Sequence, residues 1–112
     1  MKYSKTFEVK GDIERAFELT RSYTSGMKFR IESAVKPNML LLKRGSVWGS
    51  LTTFKVENVK TTLTISFTQK EEKLYIMCDY DVSGYGAIFT ASDKSTLESE
   101  VEGLKHHLEI AL

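Results

Sequence analysis

Alternation of apolar and polar residues through the middle of the chain is the feature that most constrains the fold. Between Met27 and Val82, apolar side chains recur at every second position, as in strands that bury one face. Turn signals such as residues 36–38, Lys-Pro-Asn, interrupt the alternation every few residues. Connections this short permit hairpins and leave no room for crossover helices, so we predict an antiparallel sheet.

A short amphipathic helix is predicted near the start of the chain. Asp12 is a favourable N-cap, and apolar residues follow it at helical spacing over residues 13–24. Gly26 can take a left-handed conformation without strain, so we expect the helix to end there. Before the helix, Tyr3 and Val9 share one parity with Phe7, which indicates a first strand.

A long helix is predicted at the end of the chain. Ser95 and Glu98 fit a capping box, with Ser92 or Asp93 as rival caps. One helical face then carries the apolar residues Leu97, Val101, Leu104, Leu108 and Ala111. This apolar side must be buried, and the one-sided sheet offers the only large apolar surface.

These elements predict one α+β domain over residues 1–112. We expect a single antiparallel sheet of about six strands in β-α-β(4–5)-α order, with the C-terminal helix packed on it. The chain has 112 residues, of which 41% are hydrophobic and 28% charged, values that are ordinary for a globular domain.

This order of elements resembles the TATA-box-binding-protein-like architecture, which the helix-grip, START-like ligand-binding superfamily shares. The resemblance is carried by residues 3–9, 13–24, 27–82 and 97–112, and by no sequence motif. The START-like branch implies a ligand held between sheet and helix. In the other branch a DNA-binding saddle is built from two such repeats, and this chain has one.

Composition bounds the compartment and the partners. There is one cysteine, and no window has the ~18 apolar residues of a membrane-spanning helix, so we predict a cytoplasmic protein without a membrane span. Residues 1–60 hold 12 Lys/Arg and 6 Asp/Glu, and residues 61–112 hold 4 and 9. This split indicates either an acidic partner or self-association, unless the two halves interleave in the fold.

No constellation of residues favours an enzyme. Cys78 alternates with apolar residues, so we expect a buried and inert thiol. Glu100 and His107 are predicted on a solvated helix flank, and Arg44 in a basic turn. No metal or cofactor is predicted, since metal-ligand spacing and a cofactor fingerprint are both missing. Nucleic-acid binding is not favoured, because most aromatic residues share parity with core residues.

The large apolar residues support the first functional hypothesis, a binding module for an apolar small molecule or lipid. They are many for one small core, and a curled sheet would let them line a pocket beside the C-terminal helix. The predicted lining residues are Trp48, Phe54, Phe67, Tyr80, Tyr85 and Leu104.

The second hypothesis is a protein-interaction or self-assembly module without ligand or catalysis. Its basis is the charge split and an outer sheet face that a partner could cover. Tyr75 and Met77 are predicted on that face, beside Asp79 and Asp81.

Overall fold

The computed structural model describes residues 1–45, 59–83 and 91–112, which form five strands and two helices. In chain order the elements are β1 (Lys2–Lys10), α1 (Ile13–Gly26), β2 (Arg30–Val35), β3 (Met39–Arg44), β4 (Thr61–Lys70), β5 (Lys73–Val82) and α2 (Ala91–Ala111). The sheet therefore has five strands where about six were predicted. Two predicted strand segments, around residues 48–56 and 87–90, lie outside the described residues.

The sheet is antiparallel throughout, as predicted, in the order β1-β5-β4-β3-β2. Its centre is β4, where Ile65 lies between Cys78 of β5 and Leu40 of β3. Because β1 pairs with β5, the first and the last of the described strands are neighbours in the sheet. The fold is thus of the α+β class, and strands from the two halves of the sequence interleave in its sheet.

Both helices pack on one face of this sheet, which we call the inner face; the opposite face is the outer face. Contacts run from α2 to β1, from α1 to β4, and between the helices. On the inner face the ring of Phe67 meets that of Phe17 at 5.7 Å between centroids. The buried face of α2 consists of the predicted residues Leu97, Val101, Leu104 and Leu108.

Helix α1 begins where the sequence predicts. A carboxylate oxygen of Asp12 accepts a hydrogen bond from the backbone N–H of Arg15 at 3.0 Å, which caps the first turn. The helix ends at Gly26, as predicted, but the left-handed conformation does not fall on this glycine. The positive φ of 69° is at Lys28. The reversal into β2 therefore uses a lysine in a conformation that glycine would adopt more easily.

Helix α2 is longer than the capping box predicts. It spans Ala91–Ala111, so Ser95 and its rival caps lie within the helix. None of the helices in the described parts of the chain is long and apolar enough to cross a membrane.

The predicted alternation fails at β2. The alternation that starts at Met27 predicts that Phe29 and Ile31 both point into the core, but Ile31 is 45% exposed. Ile31 is exposed because β2 is an edge strand of the described sheet, and because a register shift falls between Ile31 and Ser33.

The packing of α2 gives a first prediction. Leu108 is fully buried, whereas Ile110, two residues further along the same helix, is 72% exposed. We expect Leu108→Ala to lower the free energy of unfolding by about 2–5 kcal/mol, because it leaves a cavity in the core. The matched change Ile110→Ala is expected to stay within about 0.5 kcal/mol. Urea unfolding measures both, and equal losses would contradict this placement of α2.

Candidate functional site

The candidate site is built around Arg44, a charged side chain on the buried side of β3. Leu40, Leu42 and Arg44 share one parity in this strand, so the arginine follows two core leucines onto the inner face. Its side chain is 3% exposed. The segment predicted as a basic turn therefore begins inside the strand, and burial of the arginine requires a partner.

Glu100 of α2 is that partner. It lies three residues after Leu97 and four before Leu104, so the helix directs it toward the sheet with these core residues. Nη1 of Arg44 donates to one carboxylate oxygen of Glu100 at 2.7 Å, and Nη2 donates to the other at 3.1 Å. The prediction that Glu100 lies on a solvated flank is wrong, because a two-bond pairing to Arg44 holds it against the sheet.

Tyr80 of β5 joins this ion pair. Its hydroxyl donates to the Glu100 carboxylate at 2.9 Å. Burial raises the pKa of the Tyr80 hydroxyl, and the neighbouring charge of Glu100 raises it further, so the group remains a donor. We refer to Arg44, Glu100 and Tyr80 as the polar triad.

Phe29 packs against the guanidinium group of the triad. The ring centroid lies 4.2 Å from the central carbon of Arg44, a distance that permits a cation–π interaction. Nη1 of Arg44 is also 3.4 Å from the backbone carbonyl of Met27. The arginine is thus held from the strand, from α2 and from the segment that follows α1.

One donor of the triad has no acceptor among the described residues. Nε of Arg44 is buried and forms no hydrogen bond with the part of the chain that the structure describes. An opening of about 210 Å³ adjoins the triad, and Gly26, Met27, Lys28, Arg44 and Glu100 line it. A buried donor without a partner costs free energy, and it is the kind of group that a bound molecule can satisfy.

A larger groove lies on the other side of Phe29. It has a volume of about 520 Å³ and runs between the end of α1 and β2. Its lining is Arg21, Ser22, Thr24, Ser25, Phe29, Arg30 and Ile31. Phe29 therefore forms a wall that the groove shares with the surroundings of the triad.

The predicted lining residues fall into two groups. Phe67, Tyr80 and Leu104 are buried in the core between sheet and helices, and Tyr80 belongs to the triad. Trp48, Phe54 and Tyr85 lie outside the described residues. Sequence reasoning missed Arg44 and Glu100, although each shares the spacing of its core neighbours.

The Cys78 thiol and the His107 ring, which were the other candidates for reactive groups, are both packed against the protein. Cys78 is buried as predicted, and burial raises the pKa of its thiol to about 12. His107 stacks on Tyr23, with 4.9 Å between the ring centroids. Within residues 1–45, 59–83 and 91–112, no group of three or more His, Cys, Asp or Glu residues could hold a metal ion.

The triad gives a second prediction, since removing one partner of a buried ion pair leaves the other charge uncompensated. We expect Arg44→Met and Glu100→Gln each to lower the free energy of unfolding by about 3 kcal/mol. The loss in free energy of unfolding should be much smaller in the double variant than the sum of the two single losses. The reason is that the glutamine oxygen still accepts the hydrogen bond from Tyr80 and no buried charge remains. Chemical denaturation of all four proteins measures the coupling, and strictly additive losses would refute it.

The buried thiol gives a third prediction. The folded protein keeps the Cys78 proton above the ordinary thiol pKa of 9.0, where the unfolded chain loses it. Stability must therefore fall as pH rises from about 9 toward 12. When the pH is raised from about 8 to about 10, the free energy of unfolding should decrease by roughly 1 kcal/mol less in Cys78→Ala than in the parent protein. Denaturation at the two pH values measures this, and an identical loss in both proteins would contradict it.

Comparison with known proteins gives a shared fold and no family. No protein-family model matches the chain, and no curated protein matches it. The Aha1 dimer from Colwellia psychrerythraea matches with a TM-score of 0.67 at 10% identity, over 98% of this chain and 97% of that one. A START superfamily protein from Mycobacterium smegmatis matches with a TM-score of 0.55 at 15% identity, over 96% and 94%.

A third similar structure is larger than this chain. DynU16, a putative protein in the dynemicin biosynthetic locus, matches with a TM-score of 0.66 at 12% identity. The match covers 96% of this chain but only 47% of that one, so the chain spans about half of DynU16. These similarities support the helix-grip, START-like side of the resemblance, and they do not support the TATA-box-binding-protein-like side.

Proposed function

We propose that this chain is a small ligand-binding module that holds an apolar molecule with one polar acceptor group. The observation that carries the proposal is the buried Nε of Arg44, which has no hydrogen-bond partner among the described residues and belongs to a side chain that lines an opening. An acceptor oxygen of a ligand would satisfy this donor. The apolar remainder of the ligand would lie between the sheet and α2.

The energetics of the triad support this proposal. A buried ion pair is commonly no more stabilising than apolar residues of the same volume, so stability alone does not account for it. Ligand sites typically combine apolar walls with a few fixed polar groups that orient the ligand. Phe29 and Tyr80 supply aromatic walls beside Arg44, and the two carboxylate oxygens of Glu100 together fix the orientation of the guanidinium group.

The lining predicted from the sequence extends this site. Tyr80 belongs to the triad, and Leu104 is buried on the face of α2 that also carries Glu100. In this proposal Phe67 and Phe54 complete the lining, and Trp48 and Tyr85 lie near a mouth. The similarity in fold to a START superfamily protein is consistent with a site between sheet and helix.

Native mass spectrometry of gently purified protein tests the proposal first. We expect a protein peak that carries a discrete extra mass. Sodium dodecanoate, below its critical micelle concentration, is the second probe, because it joins an apolar chain to a carboxylate. We expect it to raise the melting temperature of the parent protein.

A matched pair of variants makes this test specific. Arg44→Met/Glu100→Gln removes the charged groups of the triad and should abolish both the retained mass and the dodecanoate effect. Lys10→Met removes an exposed positive charge at the far end of β1 and should change neither. No retained mass together with no thermal shift in the parent protein would overturn the proposal.

The second candidate function is self-assembly. Its support is the outer face of the sheet, on which neither described helix packs. A similar fold occurs in the Aha1 dimer from Colwellia psychrerythraea. Native mass spectrometry reads this outcome in the same experiment, because a dimer without bound ligand favours it.

A further inference from the structure

We infer that two copies of this chain associate through the outer faces of their sheets, about a two-fold axis that runs parallel to β4. This inference develops the self-assembly alternative and is independent of ligand binding. Its basis is the strand register, which fixes which outer-face side chains lie at equal distances on either side of β4.

The strand that would lie on the axis carries small hydroxyl side chains. Thr62, Thr64, Ser66 and Thr68 are the outward residues of β4 before Lys70, and they alternate with the buried residues of the strand. Side chains this short allow another sheet to approach at the ~10 Å spacing of face-to-face sheet packing. The outer face thus has a low central strip between two higher flanks.

Opposite charges lie on the two flanks. Thr62 is the register partner of Asp81 on β5 and of Lys43 on β3, so the two charges lie on the same level on either side of the strip. A two-fold axis along β4 exchanges left and right but keeps the level. Asp81 of each copy would therefore oppose Lys43 of the other, and the ion pair would form twice.

Apolar side chains are related by the same axis at the level of Ser66, four residues further along β4. Ser66 is the register partner of Met77 on β5 and of Met39 on β3. The axis would bring Met77 of each copy against Met39 of the other. Met77 is an exposed large hydrophobic residue. Two methionines can adapt to each other because their side chains are flexible.

The ion pairs that these side chains form within one copy leave room for this arrangement. Asp81 is exposed and forms no ion pair with another described residue, although it lines a small opening with Lys2 and Thr62. Asp79, on the level of Thr64, would oppose Leu41 of the other copy and adds no ion pair. Lys43 reaches Glu32 only at 3.5 Å, in a half-exposed contact of the weak surface kind. Little has to be broken to form the new pairs.

The ends of the face limit the contact. Lys70 and Lys73 lie beyond Thr68, where they would meet like charges of the second copy. Lys2 and Arg30 lie on the two edge strands, which sheet twist turns away from the contact. The usable patch is roughly 20 by 25 Å. This area of about 500 Å² per partner is below the ~600–1,000 Å² per partner of interfaces of standard size and falls in the range of weak, transient contacts, so we expect a reversible dimer.

Charge reversal tests this symmetry directly. Asp81→Lys alone and Lys43→Asp alone each place two like-charged pairs across the axis. We expect each to raise the dimer dissociation constant at least about tenfold, because opposed like charges disfavour association. An equimolar mixture of the two variants should form heterodimers of parent affinity, since every opposed pair is again of opposite sign. Sedimentation velocity over a concentration series measures all three samples.

A cross-linking control places the axis. In the Ser66→Cys variant, a short bis-maleimide should link residue 66 of one copy to residue 66 of the other, because each residue of β4 would face the same residue across the axis. Ile110→Cys, exposed on α2, should not be linked. Circular dichroism verifies that every variant is folded. The inference would be overturned by a parent protein that stays monomeric at all concentrations. It would also be overturned by a dimer whose dissociation constant changes in neither charge-reversal variant.

Discussion

The structure depends on the burial of one face of an antiparallel sheet by two helices. Each strand from β3 to β5 alternates between a buried and a more exposed side chain, and the buried set meets α1 and α2. This one-sidedness sets the register, because a shift of one residue would turn the apolar set outward. It also gives the molecule two unlike surfaces, an inner one that is closed by helices and an outer one that is not.

The polar triad interrupts this simple division. Arg44 occupies a position whose parity assigns it to the core, and Glu100 occupies one on the buried stripe of α2. Together with Tyr80 they connect the central part of the sheet to the C-terminal helix by hydrogen bonds of defined geometry. Apolar contacts alone would tolerate small rotations of α2, whereas a two-bond ion pair fixes the helix in one orientation. The inner face is therefore both a core and an oriented polar site.

Much of the fold could be predicted from periodicity, and the candidate site could not. The alternation predicted the antiparallel sheet, Asp12 predicted the start of α1, and the apolar stripe predicted the buried face of α2. The edge position of β2 escaped prediction, because the exposure of Ile31 depends on strand order, which the local pattern does not contain. Arg44 and Glu100 escaped for a related reason. A charged residue is assigned to solvent by its type, and only the pairing across 56 positions of sequence makes burial of both groups favourable.

The pairing of β1 with β5 has a consequence for synthesis on the ribosome. Tyr3 lies opposite Tyr80 and Phe7 opposite Ile76, so the first strand cannot find its partner until more than two-thirds of the chain has been made. Until then β1 is an unpaired strand with one apolar side, next to a helix that lacks the sheet it packs on. Closure of so long a loop is entropically slow, and an open strand edge is a template for misassembly. The apolar residues of β1 therefore stay without their sheet partner until β5 has been synthesised.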